Sequence, residues 1–236
     1  MIRRGARWLC LALVLLGLVF RVAAEPAEII IAAQDLYYSG RTSEAENMLK
    51  LQASEMPLYW QTRRAHLEGL IAARRGDNEV AEELFNRMRR MAEEIAVADP
   101  AVGLALQSEA RSRLMLIRGI AYAIRNAPRT ERLARASLEV DPTNTFALLV
   151  LAQGKINAPR LFGGDVDFGI EKLSEVSTNR DIEKAVLFRC LYGLSQAWQR
   201  KKDLSRAKQF VDAALDLYPE NPNALKLRIG ILAGSK

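Results

Sequence analysis

The sequence predicts an all-α fold of stacked helical hairpins, on three observations. Apolar residues recur at helical spacing through nearly the whole chain beyond residue 25, and no segment alternates convincingly as a strand. Glycine and proline fall between the periodic stretches, where they end helices and open turns. The chain also repeats itself: "SGRTSEAENML" sets Gly40 five residues before Ala45, "RGDNEVAEELF" sets Gly76 five residues before Ala81, and the pairs lie 36 residues apart. Such a period marks a two-helix unit that cannot bury its apolar face alone and stacks on its neighbours.

The first element, residues 1–24, reads as a secretory signal peptide. Arg3, Arg4 and Arg7 precede an apolar stretch from Trp8 to Phe20, too short for a bilayer span, and Val22-Ala23-Ala24 supply small residues at a cleavage point. Cys10 lies inside that stretch behind bulky Trp8 and Leu9, so free export is expected over lipid attachment; an uncleaved N-terminal anchor is the weaker alternative. Removing the segment leaves 30 Lys and Arg against 28 acids, so the net charge of +6 falls to about +2. The calculated pI of about 9.5 is therefore partly a targeting effect, and no nucleic-acid partner is expected. Cys190 alone remains, so no intramolecular disulfide forms. Residues 25–236 are expected to fold as a single helical repeat domain held by packing.

The units follow in order. In the first two, a glycine ends the first helix and a small residue marks close approach in the second; Phe85 follows Ala81 on the same face, Gly69 sits where a close-packed first helix wants it, and Pro57 closes the first unit. "LIRGIAYAIRNAP" places Gly119 and Tyr122 at i, i+3, followed by "RASLEVDP" ending at Pro142. "LYGLSQAWQRKKDLSRAKQFVDAALDLYPENP" places Trp198, Ala207, Ala214 and Pro219 at spacings of 9, 7 and 5. These residues resemble the tetratricopeptide repeat (TPR) over residues 26 to 222, in about five units. The resemblance implies a TPR-like right-handed superhelix of about five helical hairpins plus a C-terminal capping helix, here "NPNALKLRIGILAGSK", begun by Pro222 and expected to be solubilising.

Two departures are expected to show. The third unit has Glu131 where a small residue belongs, which predicts a more open hairpin, and the helical stretch from Ala101 to Arg113 fits no repeat neatly. The fourth unit carries "NAPRLFGGDVDFG" between its helices. A phosphate loop would need a following lysine and a preceding strand, and a calcium loop a glutamate at position twelve, where Val176 stands. Turn chemistry accounts for the residues instead: Asp165 as N-cap of "VDFGIEKLSEV", Gly163 and Gly164 in backbone angles closed to other residues, and Phe162 tucked into the hairpin. The surviving functional reading has this lengthened connection, with Asn157, Arg160, Phe162, Gly163, Gly164 and Asp165, projecting over a binding groove.

Asn157, Pro159, Gly163, Gly164 and Asp165 carry a second resemblance. Exported helical-repeat proteins with this pattern are similar to the T component that accompanies periplasmic TRAP-type substrate-binding proteins. That resemblance implies a noncatalytic partner of a solute-binding protein in the uptake of carboxylates or other small ligands. Individual binding residues do not transfer, because the shared motif is a turn.

No residue constellation supports catalysis. His66 is the only histidine and has no ligand-spaced cluster around it, no Gly-x-Ser-x-Gly occurs, and Cys190 sits among Leu187, Phe188 and Leu191 as a buried thiol. Neither a metal nor a cofactor is expected. In a TPR stack the first helices line the concave face, and this registers Arg63, His66, Arg113, Arg189, Tyr192 and Gln196 toward it. Guanidinium groups bind carboxylates bidentately, so such a groove suits a carboxylate-bearing peptide or a small anionic or apolar ligand; the competing reading is ordinary surface arginine. The expected function is exported, noncatalytic binding: an accessory docking a periplasmic solute-binding protein, or alternatively a general envelope assembly scaffold for peptide segments. A tunnel would favour the first and an open groove the second, and self-association through exposed apolar residues is left open.

Overall fold

The computed structural model describes residues 25–50, 56–179 and 181–234. The expected signal peptide, residues 1–24, lies outside the described residues. Eleven α-helices and no strand occur among the described residues: α1 Pro26–Tyr38, α2 Thr42–Lys50, α3 Leu58–Arg75, α4 Asn78–Ala98, α5 Pro100–Arg118, α6 Ile120–Val140, α7 Thr145–Asn157, α8 Val166–Ser177, α9 Lys184–Arg200, α10 Leu204–Leu217 and α11 Pro222–Gly234. They pair in chain order as five hairpins followed by α11, an all-α, repeat-like architecture.

Local chemistry sets most of the turns. Gly40 and Gly76 have φ of 82° and 84°, the left-handed conformation glycine adopts at little cost after a helix. Ala45 and Ala81 are fully buried at the helix crossings. A Cβ on Gly69 would stand 2.6 Å from Phe85 Cε1, so α3 and α4 approach this closely only because glycine is there. Asp77, Asp99, Asn144, Asp165 and Asp203 each accept from the backbone N–H three residues on and start α4, α5, α7, α8 and α10.

The third hairpin corrects the sequence reading. Gly119 does not share a helix face with Tyr122; at φ 81° it is the break between α5 and α6, so the stretch from Ala101 to Arg113 is the first helix of this unit. Nor is the hairpin open. The residues α6 buries are Thr130, Ala134 and Ser137, one position off Glu131, and Ser137 Oγ donates to Ala101 O at 2.7 Å. Gly103 approaches Ala96 so closely that a Cβ would lie 2.3 Å from its backbone nitrogen. Pro128 lies within α6 on its exposed side, and no residue of α6 before Thr130 is buried.

The two ends of the stack meet. Asn221, which caps α11 through Ala224 N at 3.0 Å, donates from Nδ2 to Tyr38 O at 2.7 Å, and the Tyr218 hydroxyl bonds Asp35. Tyr38 and Phe188 rings pack at 5.2 Å, joining α1 to α9. The first helices of the hairpins pack in turn against one another, α1 against both α3 and α9, and α7 against both α5 and α9. The outer side of α11 is not purely polar, as a solubilising cap would be: Leu225, Ile229 and Leu232 are exposed there.

Candidate functional site

The arginines registered toward the concave face converge, but on carboxylates of the chain itself. Arg63, on α3, is 2 % exposed. Its Nη2 donates to Glu183 Oε2 at 2.8 Å and to Gln34 Oε1 at 3.1 Å, and its Nη1 to Glu183 Oε1 at 3.1 Å and Tyr59 OH at 2.9 Å. The rings of Tyr59, Trp60 and Phe146 flank the guanidinium, with centroids 5.8, 5.7 and 5.1 Å from Cζ. Burial works to raise the Glu183 carboxyl, yet the hydrogen bonds and charge of Arg63 hold it below the usual carboxylate range.

A second carboxylate, Glu109 on α5, is 1 % exposed and is the centre of the cluster. Arg113, one turn on, reaches Oε1 through Nε at 2.9 Å and Nη2 at 2.7 Å, while Arg189 Nη2 of α9 lies 3.0 Å from both oxygens. His66 Nε2 stands 3.2 Å from Oε1, near enough for charge interaction though out of line for a hydrogen bond. Burial favours a neutral Glu109, but Arg113 and Arg189 overcome it and keep the carboxyl well below its ordinary value. Burial pushes the His66 imidazole down to about 4, against the opposing pull of Glu109. A neutral histidine, two carboxylates, three guanidiniums and the Gln34 amide thus tie α1, α3, α5 and α9 together.

Tyr192 and Gln196 do not join this cluster. Tyr192 stacks on Phe188 at 6.0 Å, and Gln196 makes no side-chain hydrogen bond among the described residues. Cys190 is fully buried, and burial pushes its thiol up to about 12. Among the described residues no three His, Cys, Asp or Glu converge on a point that could hold a metal.

The 157–165 loop lies elsewhere. Asn157 Oδ1 accepts from Arg200 Nη2 at 3.2 Å and Asp167 pairs with Lys201, which anchors the loop at the far end of α9 from Arg189, about 16 Å along the helix. Its conformation is heavily specified. Arg160–Phe162 form one 3₁₀ turn, Gly163 follows at φ 79°, Gly164 N bonds Pro159 O at 3.1 Å, and Asp165 N bonds Lys155 O at 3.0 Å. Lys155 Nζ donates to Gly163 O at 3.1 Å, and Asp165 Oδ1 accepts from Phe168 N at 3.0 Å as the N-cap.

Three expectations change here. Gly164 is not in the left-handed region; glycine is required because a Cβ would stand 2.0 Å from Ala158 O. Phe162 does not tuck into the hairpin but is 56 % exposed, beside Leu161 at 88 %. The loop does not cover the arginine cluster either; it borders a cleft of about 670 Å³ lined by Arg160, Gly164, Asp165, Asp167, Arg200 and Lys201. The sequence reading missed Glu109, Glu183 and Gln34, which hold the arginines. Glu109 was detectable in principle as the i−4 partner of Arg113.

No protein-family model matches the chain, and no curated protein is significantly similar to it. Among the described residues no helix is long and apolar enough to cross a membrane.

Proposed function

We propose that the protein is an exported, noncatalytic docking protein that uses the 157–165 loop to seat a protein partner. Its most concrete form is an accessory to a periplasmic solute-binding protein, as the Asn-x-Pro and Gly-Gly-Asp resemblance implies. The observation that carries the reading is the contrast between the loop's frame and its tip. Six hydrogen bonds from Phe162, Gly163, Gly164, Asp165, Lys155 and Phe168 hold the backbone, yet Leu161 and Phe162 face solvent. A rigid loop that presents an aromatic and an aliphatic side chain loses little entropy on docking and supplies the kind of anchor that dominates protein interfaces. Charged residues of both signs line the adjoining cleft, as at the rim of such an interface.

The test is affinity capture from the source's envelope extract, comparing the unaltered protein with the double variant Leu161→Ser, Phe162→Ser. A solute-binding protein recovered by the unaltered protein and lost by the variant is the expected result. The variant should unfold within about 0.5 kcal/mol of the unaltered protein, since both side chains are exposed. Recovery of assembly factors or varied peptides without a solute-binding protein would replace this reading with the general envelope scaffold.

A further inference from the structure

We propose that the cavity where the C-terminal ends of α1, α3 and α5 meet the start of α11 is a binding site for a small apolar monocarboxylate. The cavity measures about 320 Å³, at the lower end of the range for small-molecule sites of roughly 300–1,000 Å³. Leu70, Phe85, Leu116 and Ile117 form apolar walls, and Arg74 and Arg113 are the charged residues that line it. This site goes beyond the docking role and does not depend on it, since it lies among different helices from the loop.

Charge decides which ligand fits. Arg113 and Arg189 share the single carboxylate of Glu109, which leaves one positive charge in excess. Arg74 adds another: its Nη1 donates to Tyr37 O at 2.6 Å and Thr42 Oγ1 at 3.3 Å, its guanidinium lies 3.6 Å from the Tyr37 ring centroid, and among the described residues no carboxylate pairs with it. Donors remain on both side chains, because among the described residues Arg113 commits only Nε and Nη2 and Arg74 only Nη1. Positive charge held among apolar walls is unfavourable until an anion joins it. The helix C-termini at the site oppose an anion with about half a charge each, but Arg74 already covers the terminal carbonyl of Tyr37, and two full guanidinium charges outweigh the remainder.

The walls exclude a fully polar anion as the best fit. An inorganic ion would leave the space between Leu70, Phe85, Leu116 and Ile117 unfilled, whereas each methylene of an alkyl tail buried there contributes about 0.8 kcal/mol. A tail of roughly four to seven carbons behind one carboxylate matches the volume. Leu116, 74 % exposed, stands at the rim, where the ligand enters.

Isothermal titration of the purified protein with hexanoate tests the site, with hexylamine and inorganic phosphate as controls. Hexanoate should bind one to one, and both controls at least tenfold more weakly. Leu116→Glu should weaken hexanoate at least tenfold, whereas Leu116→Lys should preserve or tighten it. Because both substitutions fall on an exposed side chain, opposite responses cannot arise from misfolding. Absence of hexanoate binding, equal binding of phosphate or hexylamine, or identical responses to Glu and Lys would each overturn the assignment. Failure would leave capture by the 157–165 loop unaffected, so the two proposals are judged separately.

Discussion

The interior cluster around Glu109 and the loop around Phe162 began as one expectation, a lined groove with a loop above it, and they turn out to be opposites. The cluster is charged and buried, with its guanidiniums drawn onto carboxylates of the same chain; the loop is held by backbone hydrogen bonds and offers apolar side chains to solvent. Charge at inner-helix positions served closure of the stack. Recognition potential went to the segment whose own conformation needs none of its large side chains. Residue type therefore did not disclose which arginines the chain itself would pair, and the useful signal was which side chains the local structure leaves unused.

The largest effect that would break this contrast is at Glu109. Glu109→Gln removes the carboxylate shared by Arg113 and Arg189 and leaves both guanidiniums buried without an anion. Removing one partner of a buried ion pair costs about 3–5 kcal/mol, so the urea midpoint should fall steeply while the loop's capture of a partner persists in the fraction that remains folded. Were the variant nearly as stable as the unaltered protein, the cluster would be a solvated groove after all.

Acid should act on the same region. The His66 imidazole sits at about 4 in the fold, facing Glu109, Arg113 and Arg189, against about 6.5 when unfolded. A lowered value means the unfolded chain binds the proton more readily, so this contribution is complete above about pH 6.5 and is lost as pH falls toward 4. The unfolding constant should rise by up to about tenfold per pH unit across that window. Glu109 and Glu183, whose carboxyls are held below their ordinary range, extend the loss further into acid. Urea titrations at about pH 7, 6 and 5 on the unaltered protein and on His66→Gln measure this, and the variant should lose the slope above the carboxylate range. An unchanged slope in the variant would place the titrating group elsewhere.

What the sequence disclosed follows the distance over which each feature is decided. Gly40, Gly76 and the Asp165 cap act within a turn, so spacing alone located them; spacing also marked Gly69 as a close approach, while its contact with Phe85 is decided between two helices. Gly119 was ambiguous because apolar periodicity runs on both sides of it, which leaves a helix face and a helix break equally readable. The small face of α6 lies one position off Glu131, at Thr130, Ala134 and Ser137, a shift that the spacing around Glu131 did not show. Burial of Arg63 and Arg189 could not be read, since their partners lie 120 and 80 residues away and meet them only after curvature has accumulated over several hairpins. The exposed Leu161 and Phe162 were hidden by the general rule that large apolar side chains go inside.

The smaller effects lie in the loop, where two adjacent glycines are needed for different reasons. Gly163 has φ 79°, so Gly163→Ala adds the strain of a left-handed alanine, about 1–2 kcal/mol, and Gly163→Asn should cost less because asparagine tolerates that conformation. Gly164 has no such φ, but any Cβ meets the Ala158 carbonyl at 2.0 Å, so Gly164→Ala must push apart the backbone that positions the Asp165 cap, at roughly 1–3 kcal/mol. Asparagine gives no relief there, since the clash is with Cβ itself. Denaturation midpoints for the four variants should therefore rank Asn above Ala at 163 and not at 164. Capture of a partner should fall with Gly164→Ala even where folding is complete, because the carbonyl clash shifts the frame that aims Leu161 and Phe162. A Gly164→Ala protein that folded and captured normally would mean that the tip needs no fixed frame, and that the loop's specified backbone has another purpose.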